Sequence, residues 1–542
     1  RSIFFLMSKI DLYRLKSVLL PHGLIYIFLS FIIICLTILT IIHASAHRIQ
    51  QIDSTADLFK SQIIGYPPQF PNRQNYIQWT FLHLNDVYEL LPLDQGRKGG
   101  LARVAYVRKL LKEENSHTYT ILAGDLLSPS ALGQSKVNGT ILYGRQMIST
   151  MNTLGLDYMT FGNHEFDISQ MQLLSRMSES KFTWISSNVF QKTNNQSFGS
   201  SITHKILTID SVRILLIGLT IDDNDPYIRI IEQKHLVDYV REFLNRIPHE
   251  TYDVLVALTH LDMSTDIQLV NRIPQIDLIM GGHEHENYYY QRGRNFTTIA
   301  KADANAATVY IHRCAFNSQT RQFRVYSTLT RITAEIPDEE QTHQIAHYWY
   351  DQGIEGFRTL GFEPEKVVSC LPDEIELDGR SESVRNHDTL LTDLICESIV
   401  NFTSYNQTTI GLLNGGSVRI DDILRETITQ YDILRTLPFE NIVVSLAVPG
   451  ELLAQFLTKS LSLKGNGMFI TYTGIETSDN GNSWFINGID IATSEQYYHV
   501  ATTEYVRDNT LLNSSDVIQL SNTRQTQTKI FMNYLTKIYP PC

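Results

Sequence analysis

The sequence predicts an α/β protein with more than one domain, and three observations carry that expectation. Its 542 residues exceed what a single core organises. Apolar strand-like runs alternate with helical ones from Trp79 to Arg331, and again after residue 364, the pattern of helices covering a sheet. Polar residues crowd at the ends of several apolar runs, where open α/β sheets place their ligands. Phe161–Asp167, read as Phe-Gly-Asn-His-Glu-Phe-Asp after the apolar run of Met151–Thr160, is the densest of these stretches.

In chain order, Arg1, Lys9, Arg14 and Lys16 precede Gly23–Ile42, twenty residues without a charged side chain. That length can span a bilayer as a helix, whereas Ala44-Ser45-Ala46 has the form of a signal cleavage site. Residues 1–46 are therefore read as a signal-anchor, which the length favours, or a cleaved signal, and either sends the rest across a membrane. Met7 is the expected start. Residues 47–76, polar and with Pro67, Pro68 and Pro71 clustered, read as a stalk or linker. Strands are expected at Trp79–Leu84, Tyr119–Leu122, Trp184–Ser187, Arg213–Leu219, Val254–Thr259 and Leu278–Met280. Helices are expected at Leu101–Glu113, Tyr143–Leu154 and Lys234–Ile247, and His312–Arg331 reads as a closing antiparallel pair. These fill a first domain over residues 77–335. Residues 336–363 form a helical linker, centred on Pro337–Phe357, and 364–542 a second α/β domain. Its helices are placed at Asp388–Ile399 and Gly450–Leu461, and its strands at Ile442–Val448, Met468–Tyr472 and Gln496–Ala501.

A formal net charge of −12 argues against a nucleic-acid polymer as partner, but not against small anionic substrates, because a local metal charge outweighs the global field. Acceptor triplets for N-glycosylation start at Asn138, Asn195, Asn295, Asn401, Asn406 and Asn513 and are consistent with secretion. Beyond Cys35, four cysteines remain, Cys314, Cys370, Cys396 and Cys542, which permits one or two disulfides without fixing a pairing. No apolar tail of the kind that signals a C-terminal lipid anchor closes the sequence.

The chemistry sits in segments that each follow an apolar run: Leu84-Asn85-Asp86-Val87-Tyr88, Leu122-Ala123-Gly124-Asp125, Asn163-His164-Glu165, Thr259-His260 and Gly282-His283-Glu284-His285. Successive strand ends converge on one edge, so the donors brought together are Asp86, Asp125, Asn163, His260, His283 and His285. Oxygen and imidazole donors without thiolate suit Zn, Mn or Fe. Two such cations about 3.5–4 Å apart clamp both oxygens of a phosphoryl displacement, and Asp125 is the natural bridging carboxylate. His83 and His312 read as packing residues, and His43 and His47 have no partner pattern.

This ordered set, Asp-x-Tyr, Gly-Asp, Gly-Asn-His-Glu-Phe-Asp, His, Gly-His-x-His, resembles the calcineurin-like metallophosphoesterases and, in its longer forms, their 5′-nucleotidase branch. The resemblance implies a four-layer α/β metallophosphoesterase sandwich followed by a second α/β substrate-binding domain. It implies two divalent metal ions, one held by Asp125, Asn163, His260 and His283, the other by Asp86, Asp125 and His285. It also implies a catalytic dyad of His164 oriented by Asp167, with water activated by the metals as nucleophile. One departure stands out. Where the family has Asp-x-His, this chain has Asp86-Val87-Tyr88, and Tyr88 could ligate as a phenolate, point away, or leave the position to water.

Asn414-Gly-Gly-Ser-Val-Arg419 and Leu437-Pro438-Phe439-Glu440-Asn441 resemble the substrate segments of the family's second domain. By that resemblance Arg385, Asn414 and Arg419 meet the phosphate or ribose end, and Phe439 and Tyr505 form an aromatic clamp on the base. The family's Gly-Gly-Asp-Gly after the second aromatic is missing, with Asp508 the nearest substitute for the ribose-binding carboxylate. The expected function is metal-dependent hydrolysis of nucleoside 5′-monophosphates at the cell surface or in the secretory pathway. Two alternatives remain open: the same chemistry on sugar phosphates, cyclic nucleotides or nucleoside diphosphates, and a non-catalytic nucleotide-binding ectodomain. Oligomeric state is not readable from the sequence.

Overall fold

Apolar residues at both parities of the central strands require cover on both faces, and the structure supplies it. The computed structural model describes residues 55–70, 75–222, 227–478, 481 and 483–542. The apolar segment read as a membrane span lies outside them, and among the described residues no helix is long and apolar enough to cross a membrane. The chain divides into two compact units, residues 1–66 and Pro67–Cys542. In the first, the stretch expected to be aperiodic contains a helix, Thr55–Ile64. Helix-tolerant residues run without Gly or Pro up to Gly65, which ends it at φ 71° with its N–H on the Ser61 carbonyl.

The second unit opens with twelve main strands: β1 Tyr76–Leu84, β2 Thr118–Ala123, β3 Tyr158–Thr160, β4 Thr183–Trp184, β5 His204–Ile209, β6 Val212–Thr220, β7 Val254–His260, β8 Leu278–Gly282, β9 Tyr288–Arg292, β10 Thr297–Lys301, β11 Thr308–Asn317 and β12 Phe323–Arg331. They form two six-stranded sheets, in the orders β12-β11-β1-β2-β3-β4 and β9-β10-β8-β7-β6-β5. Val254, Val256 and Leu258 of β7 point between the sheets with Trp79, Phe81, Leu278 and Met280. The alternate residues, Leu255 and Ala257, pack outward against the helices Gln233–Asn245 and Met263–Arg272. Helices Leu101–Glu114, Arg145–Leu154 and Glu340–Thr359 cover the other sheet. The result is the expected four-layer α/β arrangement. Helix Glu340–Thr359, read as a connector, lies in this outer layer with Trp349 and Phe357 buried. β4 is shorter than expected because the Ser187 N–H leaves its sheet to bond Gly218 of β6 at 2.7 Å.

The second core is built on a five-stranded sheet of β13 Ile410–Asn414, β14 Ile442–Pro449, β15 Ile470–Thr473, β16 Tyr497–Thr503 and β17 Ile518–Thr526, ordered β15-β13-β16-β14-β17. Helix Gly450–Leu461 packs on one face through Leu453, Phe456 and Leu457. Leu390–Thr403 and Gln527–Ile538 pack together over the other, where Ile399 and Ile530 meet Val443 and Ala501. Cys370 and Cys542 form a disulfide, whereas Cys314 and Cys396 are free and buried.

Beneath the ligand edge runs a buried polar chain. Ser327 Oγ lies 2.7 Å from His312 Nδ1, His312 Nε2 lies 3.3 Å from His83 Nδ1, and His83 Nε2 lies 3.0 Å from the Gly281 carbonyl. A consistent assignment has each neutral ring donate once and accept once. Burial pushes the pKa of His83 down to about 3 and that of His312 well below its usual value. Both histidines thus have the packing role expected of them. An imidazole that stays neutral when folded but protonates when unfolded lowers stability as pH falls from about 6.5 toward 3. Thermal melting across that window should fall less steeply in His83→Gln than in the wild type.

Candidate active site

The parallel register sets the site. Leu84 pairs with Leu122, Leu122 with Met159, and His260 with Gly282, so β1, β2, β3, β7 and β8 all present their carboxyl ends along one edge. Asp86 and Asp125 are fully buried there, with φ of 52° and 57°. The Asp86 and Val87 N–H groups donate to the Gly124 and Asp125 carbonyls at 3.1 and 2.9 Å, which locks the two loops together. Gly124 (φ 83°) cannot be replaced without strain, because a Cβ there would stand 2.5 Å from His260 Nδ1. At Gly162 a Cβ would stand 2.0 Å from Asp125 Oδ1.

The donors of Asp86, Asp125 and His260 lie within 4.8 Å of one another. His260 gives its Nδ1–H to the Ala123 carbonyl at 2.8 Å, which turns Nε2 toward Asp125 Oδ2, 3.4 Å away. Burial disfavours its charge, but Asp125 and Asp86 overcome this and raise it to about 10. Burial likewise opposes ionisation of Asp125, yet His260 and His164 hold it below the usual carboxylate range. His260 Nε2 and Asn163 Oδ1 are buried without a hydrogen-bond partner, as expected of metal donors. The His283 N–H donates to Asp86 Oδ2 at 2.9 Å, and its ring lies 5.2 Å from that of His260, with Nε2 3.4 Å from Asp262 Oδ1. His285 Nε2 stands 3.7 Å from Asp86 Oδ1, and its Nδ1 is 2.7 Å from Asp421 Oδ2 and 3.0 Å from Ser381 Oγ. This donor set, oxygen and imidazole around two buried carboxylates, fits divalent cations.

His164 and Asp167 lie beside this cluster. His164 Nδ1 is 2.9 Å from Asp167 Oδ2, which also accepts from Ser128 Oγ at 2.7 Å. The carboxylate fixes the Nδ1–H tautomer and leaves Nε2 as the acceptor for Arg419 Nη2 at 2.8 Å. A residue from the second core thus touches the dyad.

One cleft of about 1520 Å³ joins these groups. Asn163, His164, Asp167, His283 and His285 line it together with Arg385, Asn414, Arg419, Phe439 and Tyr505. Burial, and next the charge of Arg419, lower the pKa of Arg385, and both guanidinium groups line the cleft. The Asn414 side chain is engaged by its own protein, donating to the Gly467 carbonyl at 3.1 Å and accepting from Ser417 at 2.5 Å. Tyr505 is 45 % exposed and Phe439 half-buried. Asp508 lies outside the cleft lining, its carboxylate paired with Arg507 at 2.7 Å, because the residues after Tyr505 continue as a short helix, Glu504–Asp508. It does not take the place of the missing ribose carboxylate.

Several positioning residues carried no metal or catalytic motif. Asn85 Nδ2 donates to Asp86 Oδ2 at 2.8 Å. Asp421 orients His285, and buried Lys301 binds Asp266, Glu284 and the Leu261 carbonyl behind the Gly-Gly-His loop. Glu165 accepts from the backbone N–H groups of Asp125, Leu126, Leu127 and Gly162 at 2.6–3.2 Å. Burial, and next the charge of Asp125, push its carboxyl up to about 7. Only Glu165 had a visible signal, its place inside Gly-Asn-His-Glu.

Residues 80–287 match the sequence model of the calcineurin-like phosphoesterase family, and residues 372–510 that of the 5′-nucleotidase C-terminal domain. Snake venom 5′-nucleotidase of Gloydius brevicauda is 23% identical over 435 residues, 72% of this chain and 71% of that protein. Bovine (Bos taurus) 5′-nucleotidase is 23% identical over 442 residues, covering 73% and 74%. Among solved structures, the 5′-nucleotidase precursor of Thermus thermophilus superposes with a TM-score of 0.71 at 18% identity, over 85% of this chain and 97% of that one. The 5′-nucleotidase of Candida albicans gives 0.61 at 14% identity, over 85% and 98%. The class is thereby defined: a calcineurin-like phosphoesterase domain, which implies use of divalent metal, in tandem with a 5′-nucleotidase C-terminal domain, hence a phosphoric monoester hydrolase. The chain belongs to the 5′-nucleotidase family.

Glu165→Ala would leave four backbone N–H groups around the site without their acceptor. Each unmet buried donor costs about 1–3 kcal/mol, so urea unfolding should show a loss of about 4 kcal/mol or more.

Proposed function

We propose that this protein hydrolyses nucleoside 5′-monophosphates to nucleoside and phosphate in the cleft between a phosphoesterase domain of residues 77–335 and a substrate domain of residues 364–542, joined through 336–363. The observation that carries the reading is the shared cleft. An unpartnered Asn163 oxygen beside the buried carboxylates, a histidine–carboxylate dyad, two arginines and two aromatic rings open onto one space or floor it. Asp125, Asn163, His260 and His283 would hold one cation, and Asp86, Asp125 and His285 the second. When bound, such cations supply Lewis acidity toward phosphoryl oxygens and make water nucleophilic near neutral pH.

The chain's own residues do the rest. Arg419 and Arg385 receive the phosphate, and its negative charge relieves the repulsion between them. A guanidinium holds two phosphate oxygens in one plane. Once Arg419 turns to the phosphate, His164 Nε2 is free to face the leaving oxygen. Nε2 then takes a proton from solvent, Asp167 bonds the Nδ1–H of the imidazolium so formed, and Nε2 passes its proton to the departing nucleoside oxygen as a general acid. Phe439 and Tyr505 hold the base by stacking, which tolerates different bases. The position of Asp508 outside the cleft lining favours a second reading in which the same centre accepts other phosphoesters.

We also infer export, with Gly23–Ile42 as signal-anchor or cleaved signal. The Cys370–Cys542 disulfide suits an oxidising compartment, and five of the six glycosylation acceptors are exposed, the half-buried Asn406 instead bonding Ser445 and Ser521.

The test measures phosphate release from AMP and from an aryl phosphate after chelation and re-addition of Mn, Zn or Mg. Activity should vanish on chelation, return with metal, and be lost in Asn163→Ala for both substrates. Phe439→Ala should raise KM for AMP about five- to a hundredfold, the worth of one stacked base, and leave the aryl ester unaffected. Equal turnover of both substrates in the wild type would discard the nucleotide assignment. Silence with every metal would favour a binding protein.

A further inference from the structure

We propose that Tyr88 is itself a metal ligand. Its phenolic oxygen completes the second of the two cation positions with Asp86, Asp125 and His285, and biases that position toward a hard, highly charged cation such as Fe(III). The inference rests on the reading of the cleft floor as a metal centre, and concerns what this chain has put where its family carries a histidine.

The placement of Tyr88 is fixed by the backbone. Its N–H donates to Asn305 Oδ1 at 3.0 Å, and the Asn305 N–H donates to the Asp86 carbonyl at 2.8 Å. The ring is buried, 5.6 Å from that of His285. Its oxygen therefore neither points away nor leaves the position to water. It stands 2.9 Å from Asp125 Oδ2, 3.4 Å from Asp86 Oδ1 and 3.3 Å from His285 Nε2, and the last two atoms are 3.7 Å apart. Four donors around a cation at about 2.0–2.1 Å in tetrahedral array are separated by about 3.3 Å. The three spacings from the Tyr88 oxygen and the Asp86–His285 spacing bracket that value.

Counting protons separates a ligand from a plug. A phenol carries one proton, which Asp125 Oδ2 takes at the shortest distance. Asp86 Oδ1 is an acceptor. His285 gives its Nδ1 proton to Asp421, so its Nε2 presents a lone pair to the same spot. Three acceptors thus aim at one proton, and a cation held among them meets all three. On binding, the phenol O–H bond breaks, the proton goes to solvent and the oxygen lone pair goes to the metal. Two carboxylates and a phenolate make a hard, triply anionic oxygen set, which suits a trivalent cation better than the nitrogen-richer set of a histidine would. The Arg419 guanidinium lies 5.6 Å from the Tyr88 ring centre.

The experiment takes the secreted protein, removes metal by chelation, reloads it with ferric citrate and Zn, and reads visible absorption and metal content. A phenolate on Fe(III) gives a ligand-to-metal charge-transfer band. The wild type should show that band and about two cations per chain. Tyr88→Phe should lose the band and about one cation, with its fold checked by circular dichroism. Tyr88→His should bind two Zn without a band, which guards against a Phe variant that misfolds. A wild type that binds two cations with no band, or a band that survives in Tyr88→Phe, overturns the role of Tyr88 and leaves the metal centre standing. A wild type that binds no cation overturns both.

Discussion

The structure depends on keeping two buried carboxylates, Asp86 and Asp125, side by side. Like charges in a dry site raise each other's pKa and one of them neutralises unless positive charge is supplied. In the protein alone the His260 imidazolium supplies part of it. Neighbouring parallel strands with matched ends bring the two residues together, and backbone bonds between their loops keep them there. Glu165, Asn85 and the His83–His312 chain hold the loops that carry them, and none of these braces touches the cleft. A mutation in a brace would misplace the donors without removing one.

The strand ends were legible because each donor followed an apolar run, and period-two packing on both faces left no other place for polar residues. That reasoning brought Asp86, Asp125 and His260 to one place and located the closing pair β11–β12 and the helix Glu340–Thr359, whereas the division into two sheets came from the family resemblance. It failed where information is not local. Ser187 crosses to the other sheet through a bond to Gly218, thirty-one residues on, and no run of residues announces that. Asn85, Asp421 and Lys301 are ordinary polar residues until folding gives them partners. The helix Thr55–Ile64 was hidden by the proline cluster that follows it. The ribose carboxylate failed for a local reason, since Arg507 is adjacent to Asp508 and pairs with it first.

The second core contributes charge more than contact. Arg385 and Arg419 would repel each other less with an anion between them, so the cleft is shaped for a ligand that brings negative charge. Its ties to the first core are ion pairs such as Lys98–Asp422 at 2.8 Å and Arg435–Glu89 at 2.9 Å. The Lys98–Asp422 pair is partly open to water, whereas Arg435–Glu89 is largely buried, and removing one partner of a buried pair costs about 3–5 kcal/mol.

His285 shows how closely closure and chemistry are joined. One nitrogen faces Asp86 and Tyr88, and the other faces Asp421 of the second core. The carboxylate decides which nitrogen keeps the proton, and so whether the first-core side of the ring presents a lone pair. Burial keeps that ring from gaining a second proton. Drawing the second core away would remove Asp421, free the tautomer, and weaken the one nitrogen donor of a position otherwise made of oxygen. With a histidine at residue 88, a second imidazole would compensate. With Tyr88 there is none, so under the proposal made for Tyr88 that position would depend on the second core for its nitrogen ligand.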